Sequence, residues 1–351
     1  LMLMAVEERK LKLNDEVNKH LSECGKFSNI TIRQLLNHRS GIHNFTDEPS
    51  FFSILSEVQS DTANIERILS YDLDFEAGEK YSYSNSNYVL LAYILERIYD
   101  RSYAQLIKRK ICKPLKLKHT FHADIYQTNK KQANSFAYTN RWENATQTHG
   151  SVCIGAGSII STPKELLVFL RALNEGQLIS ISSLKLMYDF KDDYGLGIMR
   201  YPYGDGFVFG HTGGIDGFQS MFFKFQGEDL YLAICLNGVN RPRADIIKEA
   251  MTLYRRESDE LPSFKYGVDF DYDIAVDYEG LYACPSIDME MNIYIEEEAL
   301  WGKVPGQSAF KLTPISDNEY TFLPAAIKIT FNSDSRLILN QGGKEFIFSR
   351  K

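Results

Sequence analysis

Apolar positions recur at helical spacing in the first half of the chain and at alternate positions in the second. ITIRQLLNHRSGI (30–42) keeps its apolar residues on one face, which predicts a helix stopped by Gly41. SNSNYVLLAYILERIYD (84–100) is apolar until its charged far end and predicts a second helix, with the polar run YSN (83–85) at its entrance. STPKELLVFLRALN (161–174) has a Ser/Thr cap, Pro163 in the first turn and Glu165 soon after, together a strong helix start. The opening LMLMAVEERKLKL reads as the end of an amphipathic helix with no cap before it.

From residue 207 the period becomes two. FVFGHTG, FQSMFFKF and LYLAICLN, the last two joined by QGED, predict an antiparallel meander. LYLAICLN is apolar on both faces, as a strand covered on two sides should be. The charged stretch RRESDELPSFKYG (255–267) marks a boundary, which divides the chain into domains at 1–260 and 270–351. In the tail MNIYIEE, ALWGKV, EYTFLP, IKITFN, RLILN and EFIFSR, with turns NSDS and NQGG, predict about six short strands closing into a small barrel or sandwich.

A length of 351 residues fits two domains, and 44% hydrophobic with 13% aromatic residues can fill two cores. No stretch approaches the roughly 18 uninterrupted apolar residues of a membrane helix. The formal charge of −7 argues against nucleic acid or anionic lipid as partners and favours small or neutral substrates. Five scattered cysteines without CxxC spacing, and seven histidines without ligand spacing, predict neither a disulfide framework nor a metal centre.

Two polar clusters carry the candidate chemistry: Tyr83-Ser84-Asn85, and His211-Thr212-Gly213-Gly214 within FVFGHTGGIDGFQS. Tyr138-Thr139-Asn140 repeats the first pattern without its context, since only Tyr83 follows FEAGEK and opens an apolar helix. Taken singly, His211 also fits a packed strand histidine, and Gly213-Gly214 a bulge.

The succession KLKLNDEVNKHL, ITIRQLLNHRSGI, FEAGEKYSYSNSNYVLLAYILE, GAGSIISTPKELLVFLRALNEGQL, YGLGI and GHTGGIDGFQS resembles the serine β-lactamase and penicillin-binding-protein superfamily. The branch is that of class C β-lactamases, D-Ala-D-Ala carboxypeptidases, D-aminopeptidases and related esterases. The resemblance implies an α+β fold, an antiparallel sheet flanked by helices, followed by a C-terminal β-barrel of lipocalin-like type. It implies no cofactor, a small or peptidoglycan-like peptide substrate, and export to the periplasm or exterior. Its reaction uses Ser-x-x-Lys, Tyr-x-Asn and Lys- or His-Thr-Gly together.

On that resemblance Tyr83 relays the nucleophile's proton, and Asn85 bonds the substrate amide and the lysine. His211, Thr212 and Gly213 hold the substrate's polar end, and the Gly214 N–H donates to the oxyanion. Tyr83 and His211 are then expected within about 10 Å across one cleft. A histidine with an ordinary pKa near 6.5 predicts that a carboxylate-bearing substrate binds better as pH falls toward 6. The two internal Ser-x-x-Lys matches, Ser161–Lys164 and Ser182–Lys185, follow Tyr83 and read as helix openings. The family order places the catalytic copy just ahead of Leu1, so residues 1–351 alone are expected to be inactive. The alternative is a non-catalytic binding or scaffold protein of the same fold.

Overall fold

The computed structural model describes residues 1–351 except 124–131, 139–141, 241–242, 258–266, 288, 306–308, 323–324, 326, 333–335 and 342–343. Two compact units emerge: residues 1–135 with 145–237, and residues 136–144 with 238–351. Most of the charged stretch 255–267 lies outside the described residues.

In the first unit, helices α1 (Met2–Glu7), α2 (Ile32–Leu36), α3 (Asp61–Leu69) and α4 (Asn85–Tyr99) precede the sheet. Helix α4 is the centre of the core. Val89 through Leu95 are all buried, so the helix is apolar nearly all round and is enclosed by its neighbours. Each fully buried Val, Leu or Ile there contributes roughly 1.5–3 kcal/mol. Asp100 closes α4 in the left-handed conformation with φ 49°.

Helix α2 is shorter than its pattern suggests. Thr31 and Gln34 form a capping box at its start, but His38 turns left-handed at φ 55° and the helix ends at Leu36, not at Gly41. Beyond it the chain runs extended: Gly78 N–H donates to the Arg39 carbonyl, Asp74 N–H to that of Gly41 and Ser82 N–H to that of His38. Gly41 has φ 76°, and a Cβ on it would lie 2.0 Å from the Phe75 carbonyl oxygen. Gly41→Ala is therefore expected to destabilise the protein by about 2 kcal/mol, read as a lower urea midpoint at unchanged slope. An unchanged midpoint would mean this crossing is not tight.

A short pair, β1 (Phe121–His122) with β4 (Ile159–Ile160), accompanies the main sheet of this unit, while the pair β2 (Phe136–Tyr138) with β3 (Trp142–Asn144) belongs to the second unit. The main sheet is an antiparallel meander of β5 (Met199–Tyr203), β6 (Gly206–Ile215), β7 (Phe218–Phe225) and β8 (Tyr231–Leu236), in that order. The sequence pattern supplied three of these; β5, MRYPY, carries Pro202, which masks a strand. Strand β8 lies at the edge of this sheet among the described residues, not at its centre, and is half-buried along most of its length. The Pro163–Asn174 helix packs on β7 and β8, with Thr162 as its cap.

The second unit contains a closed antiparallel barrel of eight strands, two more than expected. These are β9 (Gly280–Cys284), β10 (Met289–Glu296), β11 (Ala299–Lys303), β12 (Phe310–Pro314), β13 (Glu319–Phe322), β14 (Ile327–Phe331), β15 (Arg336–Gln341) and β16 (Lys344–Arg350), with β16 returning to pair β9. Closure leaves the barrel no open edge. Its interior holds Tyr282, Tyr320, Phe331 and Phe348, and Tyr278 stacks on Phe331 at 4.2 Å.

Candidate active site

The entrance of α4 is held by the loop that follows α2. The first N–H groups of a helix lack partners within it; here Ser84 N–H donates to His38 Nδ1 at 3.1 Å and Asn85 N–H to Asn44 Oδ1 at 2.9 Å. Ser86 Oγ donates to the His43 carbonyl and accepts from Phe45 N–H. Asn87, fully buried, accepts from Ser40 Oγ at 2.6 Å. These bonds fix where Tyr83 projects, just ahead of the helix.

Tyr83 remains 40% exposed. Its ring lies 4.2 Å from the His38 ring, 6.3 Å from that of Tyr194 and 6.2 Å from that of His211 on β6. The tyrosine and histidine singled out in the sequence thus face one another well inside 10 Å. Burial, with the neighbouring Tyr201, pushes the Tyr83 phenol above its usual value of 10, so it carries its proton at neutral pH. Asn85 donates from Nδ2 to Thr46 Oγ1 at 3.0 Å.

Strand β6 brings in His211, Thr212, Gly213 and Gly214. β5 reaches only as far as Gly210 on β6, so His211–Ile215 run on past the end of that neighbour while still pairing with β7. A Cβ on Gly214 would meet nothing within 4 Å, whereas one on Gly213 would lie 2.6 Å from Ser220 Oγ. The β6–β7 turn is anchored: Thr148 donates from its N–H and its hydroxyl to the two oxygens of Asp216, and Gly217 N–H donates to Ser135 Oγ.

Two residues that the sequence did not mark for this site complete it. Tyr194, 2% exposed, places its hydroxyl 3.1 Å from His38 Nε2 and 3.1 Å from His211 Nε2. His38 is fully buried, and burial followed by the nearby His211 lowers its pKa to about 3. Burial also holds His211 below its ordinary 6.5, partly offset by the bond from Nδ1 to the Thr212 carbonyl. The expected pH effect on carboxylate binding, which assumed an ordinary histidine, therefore moves to lower pH.

The other serine candidates stand at helix openings. Ser161 Oγ bonds Thr120 Oγ1 at 2.8 Å, and Thr162, not Ser161, caps the helix that follows; Ser182 Oγ bonds Ser180 Oγ, and Ser180 is the cap there. The Tyr138 ring lies 5.0 Å from that of Trp142, tilted by 60°, while Thr139 and Asn140 lie outside the described residues. Among the described residues no group of His, Cys, Asp and Glu is arranged to hold a metal, and no helix is long and apolar enough to cross a membrane.

Known proteins resemble this chain in sequence and fold. The teichoic acid D-alanine hydrolase of Staphylococcus aureus is 26% identical over 258 residues, covering 69% of this chain and 62% of that protein. The chain thus spans less than two thirds of the length of that curated relative. A D-stereospecific amidohydrolase from Streptomyces sp. superposes with a TM-score of 0.63 at 27% identity, over 68% of this chain and 78% of the other. The octameric penicillin-binding protein homologue from Pyrococcus abyssi, at 19% identity, shares the fold with a TM-score of 0.64 over 99% of this chain and 84% of its own. A family model described as Beta-lactamase matches residues 1–254, and the chain belongs to that family of hydrolases.

Proposed function

We propose that the protein is a serine acyl hydrolase that cleaves D-alanyl esters or amides through an acyl-serine intermediate. The observation that carries this is the approach of Tyr83 and His211 to 6.2 Å beside the Gly213–Gly214 segment of β6. That distance lets one small substrate touch both groups. In this family's reaction the serine is supplied by a Ser-x-x-Lys motif. A phenol held above 10 keeps its proton, so Tyr83 must first pass that proton to the neutral amine of the motif's lysine; the phenolate, stabilised by the resulting ammonium, then takes the serine's proton. Tyr83 then returns the proton to the leaving oxygen or nitrogen. Asn85, steadied by Thr46, bonds the lysine and the substrate amide. The Gly214 N–H joins the serine's own N–H in stabilising the oxyanion, on an edge where no side chain intrudes.

The D-alanyl group is drawn from the name of the S. aureus relative, and the preference for D-stereochemistry also from that of the Streptomyces one. The test uses the protein translated from its natural start codon, with the p-nitroanilide and methyl ester of D-alanine set against their L-forms. Hydrolysis favouring the D-forms at least about tenfold in kcat/KM is expected, a difference of roughly 1.4 kcal/mol in transition-state binding. No turnover of any acyl substrate would leave the binding or scaffold alternative standing.

A further inference from the structure

The hydrogen bonds around Tyr194 constrain where its protons lie. A backbone N–H can only donate, so Ser84 N–H makes His38 Nδ1 an acceptor, and Asn87 Nδ2 lies on the same nitrogen at 3.3 Å. Neutral His38 must then carry its proton on Nε2 and donate it to the Tyr194 oxygen. At the other end, a carbonyl can only accept: the Thr212 oxygen 2.6 Å from His211 Nδ1 requires a proton on that nitrogen. Neutral His211 is then bare at Nε2 and takes the single proton of Tyr194. Tyr88 Oη sends its own proton to the Leu36 carbonyl, which leaves its oxygen as a second acceptor near the Tyr194 hydroxyl, but the partners within hydrogen-bond geometry of that hydroxyl are the two histidines at 3.1 Å. The chain runs from Ser84 through His38 and Tyr194 to His211 and ends on Thr212.

We infer that Tyr194 is a specificity-determining positioning residue: by donating to His211 Nε2 it locks the imidazole as its neutral Nδ1–H tautomer, so that β6 offers no cation to a substrate carboxylate. A hydrogen bond to the neutral form of a base disfavours its protonation. The groups facing His211 add no negative charge to reverse this. They are the phenols of Tyr83 and Tyr194 and the Thr212 carbonyl, with His38 acting through Tyr194. The two carboxylates nearest Tyr194 in the chain are paired elsewhere, Asp192 with Arg39 and Asp193 with Arg200. The cleft is thereby matched to acyl donors whose leaving group carries no carboxylate. The substrate part of this inference rests on the hydrolase function proposed above; the tautomer does not.

The experiment is long-range 1H–15N NMR of histidine-labelled protein, with the His211 signals assigned by their loss in His211→Gln. The expected wild-type pattern is a protonated Nδ1 and bare Nε2 that hold from pH 8 down to 6.5. An imidazolium at pH 7, or the opposite tautomer, would overturn the lock whether or not the protein is a hydrolase. A second arm compares binding of acetyl-D-alanyl-D-alanine and its C-terminal amide by titration. In the wild type the ratio of the two affinities should be the same at pH 8 and 6.5. In Tyr194→Phe the carboxylate form should gain about two- to fivefold at pH 6.5, the worth of one partly exposed ion pair. An unchanged ratio in a variant whose NMR spectrum remains folded would contradict the role of Tyr194. Failure of either ligand to bind a wild type with the expected tautomer would remove the specificity claim and the substrate cleft together, leaving the lock.

Discussion

Replacing Tyr83 with phenylalanine is expected to lower kcat for D-alanyl ester hydrolysis by about 10²–10⁴-fold, a loss of roughly 3–5 kcal/mol of transition-state stabilisation. The substitution removes one oxygen from a ring that is already 40% exposed, and no side-chain hydrogen bond between the described residues depends on that hydroxyl. The ring contacts with His38 and His211 are made by the ring itself and should persist. Proton transfer is confined to the chemical step, so kcat and kcat/KM should fall together while KM stays within a few fold. A large rise in KM with kcat intact would instead place Tyr83 among the groups that merely hold the substrate. Activity unaffected by the change would remove it from the reaction.

The buried histidines predict a loss of stability in mild acid. His38 has a folded-state pKa of about 3 against 6.5 for an exposed ring. A group whose folded pKa is depressed adds nothing to pH dependence above 6.5, where both states are neutral. Below that value the unfolded chain takes up a proton that the folded chain refuses, and stability falls toward the folded pKa. The slope is about 1.4 kcal/mol per pH unit, which amounts to roughly 3 kcal/mol from His38 alone by pH 4. His211 adds to it in the same direction because its pKa is also lowered. His43 has the opposite shift, raised despite burial by its bonds to Asp74 and Glu48, but its contribution is complete once pH is below 6.5 and does not alter the slope there. The lowered carboxyls of Asp15 and Glu165 act only below the usual carboxylate range. Glu96, its carboxyl raised by burial, works in the opposite sense, so urea midpoints between pH 6.5 and 5 report the histidines less that contribution. A flat profile across that window would mean that His38 is solvated or already charged in the folded protein.

Much of this was legible in the sequence, and the gaps have physical causes. Helix α4 announced itself because an apolar run of that length with a charged end has few other uses, and the HTGG strand because two glycines follow a polar pair inside an alternating pattern. Helix α2 was overextended: periodicity continued through His38, while the backbone had already turned left-handed there. Strands β5 and β12 each contain a proline, and β9 opens on Gly280 at φ 153°, so composition hid all three. Barrel closure depends on the pairing of β16 with β9, some sixty residues apart, which no local pattern encodes.

The site divides in the same way. Tyr83, Asn85 and the 211–214 cluster stand out because polar residues interrupt apolar elements. Tyr194 and His38 lie 156 residues apart and meet only in the folded chain. The signals available for them were indirect: a histidine just past a helix in NHRSG, and a tyrosine beside glycines in YGLGI, a stretch that carried the family resemblance without a role. Gly195, whose Cβ would fall 2.1 Å from the Met187 carbonyl, and Gly197, 2.8 Å from Tyr88 Oη, let the backbone approach closely enough to seat the Tyr194 ring.

Intact-protein mass spectrometry of the protein made from its natural start codon, quenched in acid during turnover of a D-alanyl ester, tests the central claim most directly. A single D-alanyl adduct is predicted on the serine of a Ser-x-x-Lys motif, abolished or strongly reduced in Tyr83→Phe. An adduct that forms equally well without the Tyr83 hydroxyl, or no adduct while the ester is consumed, would contradict an acyl-serine mechanism run through Tyr83.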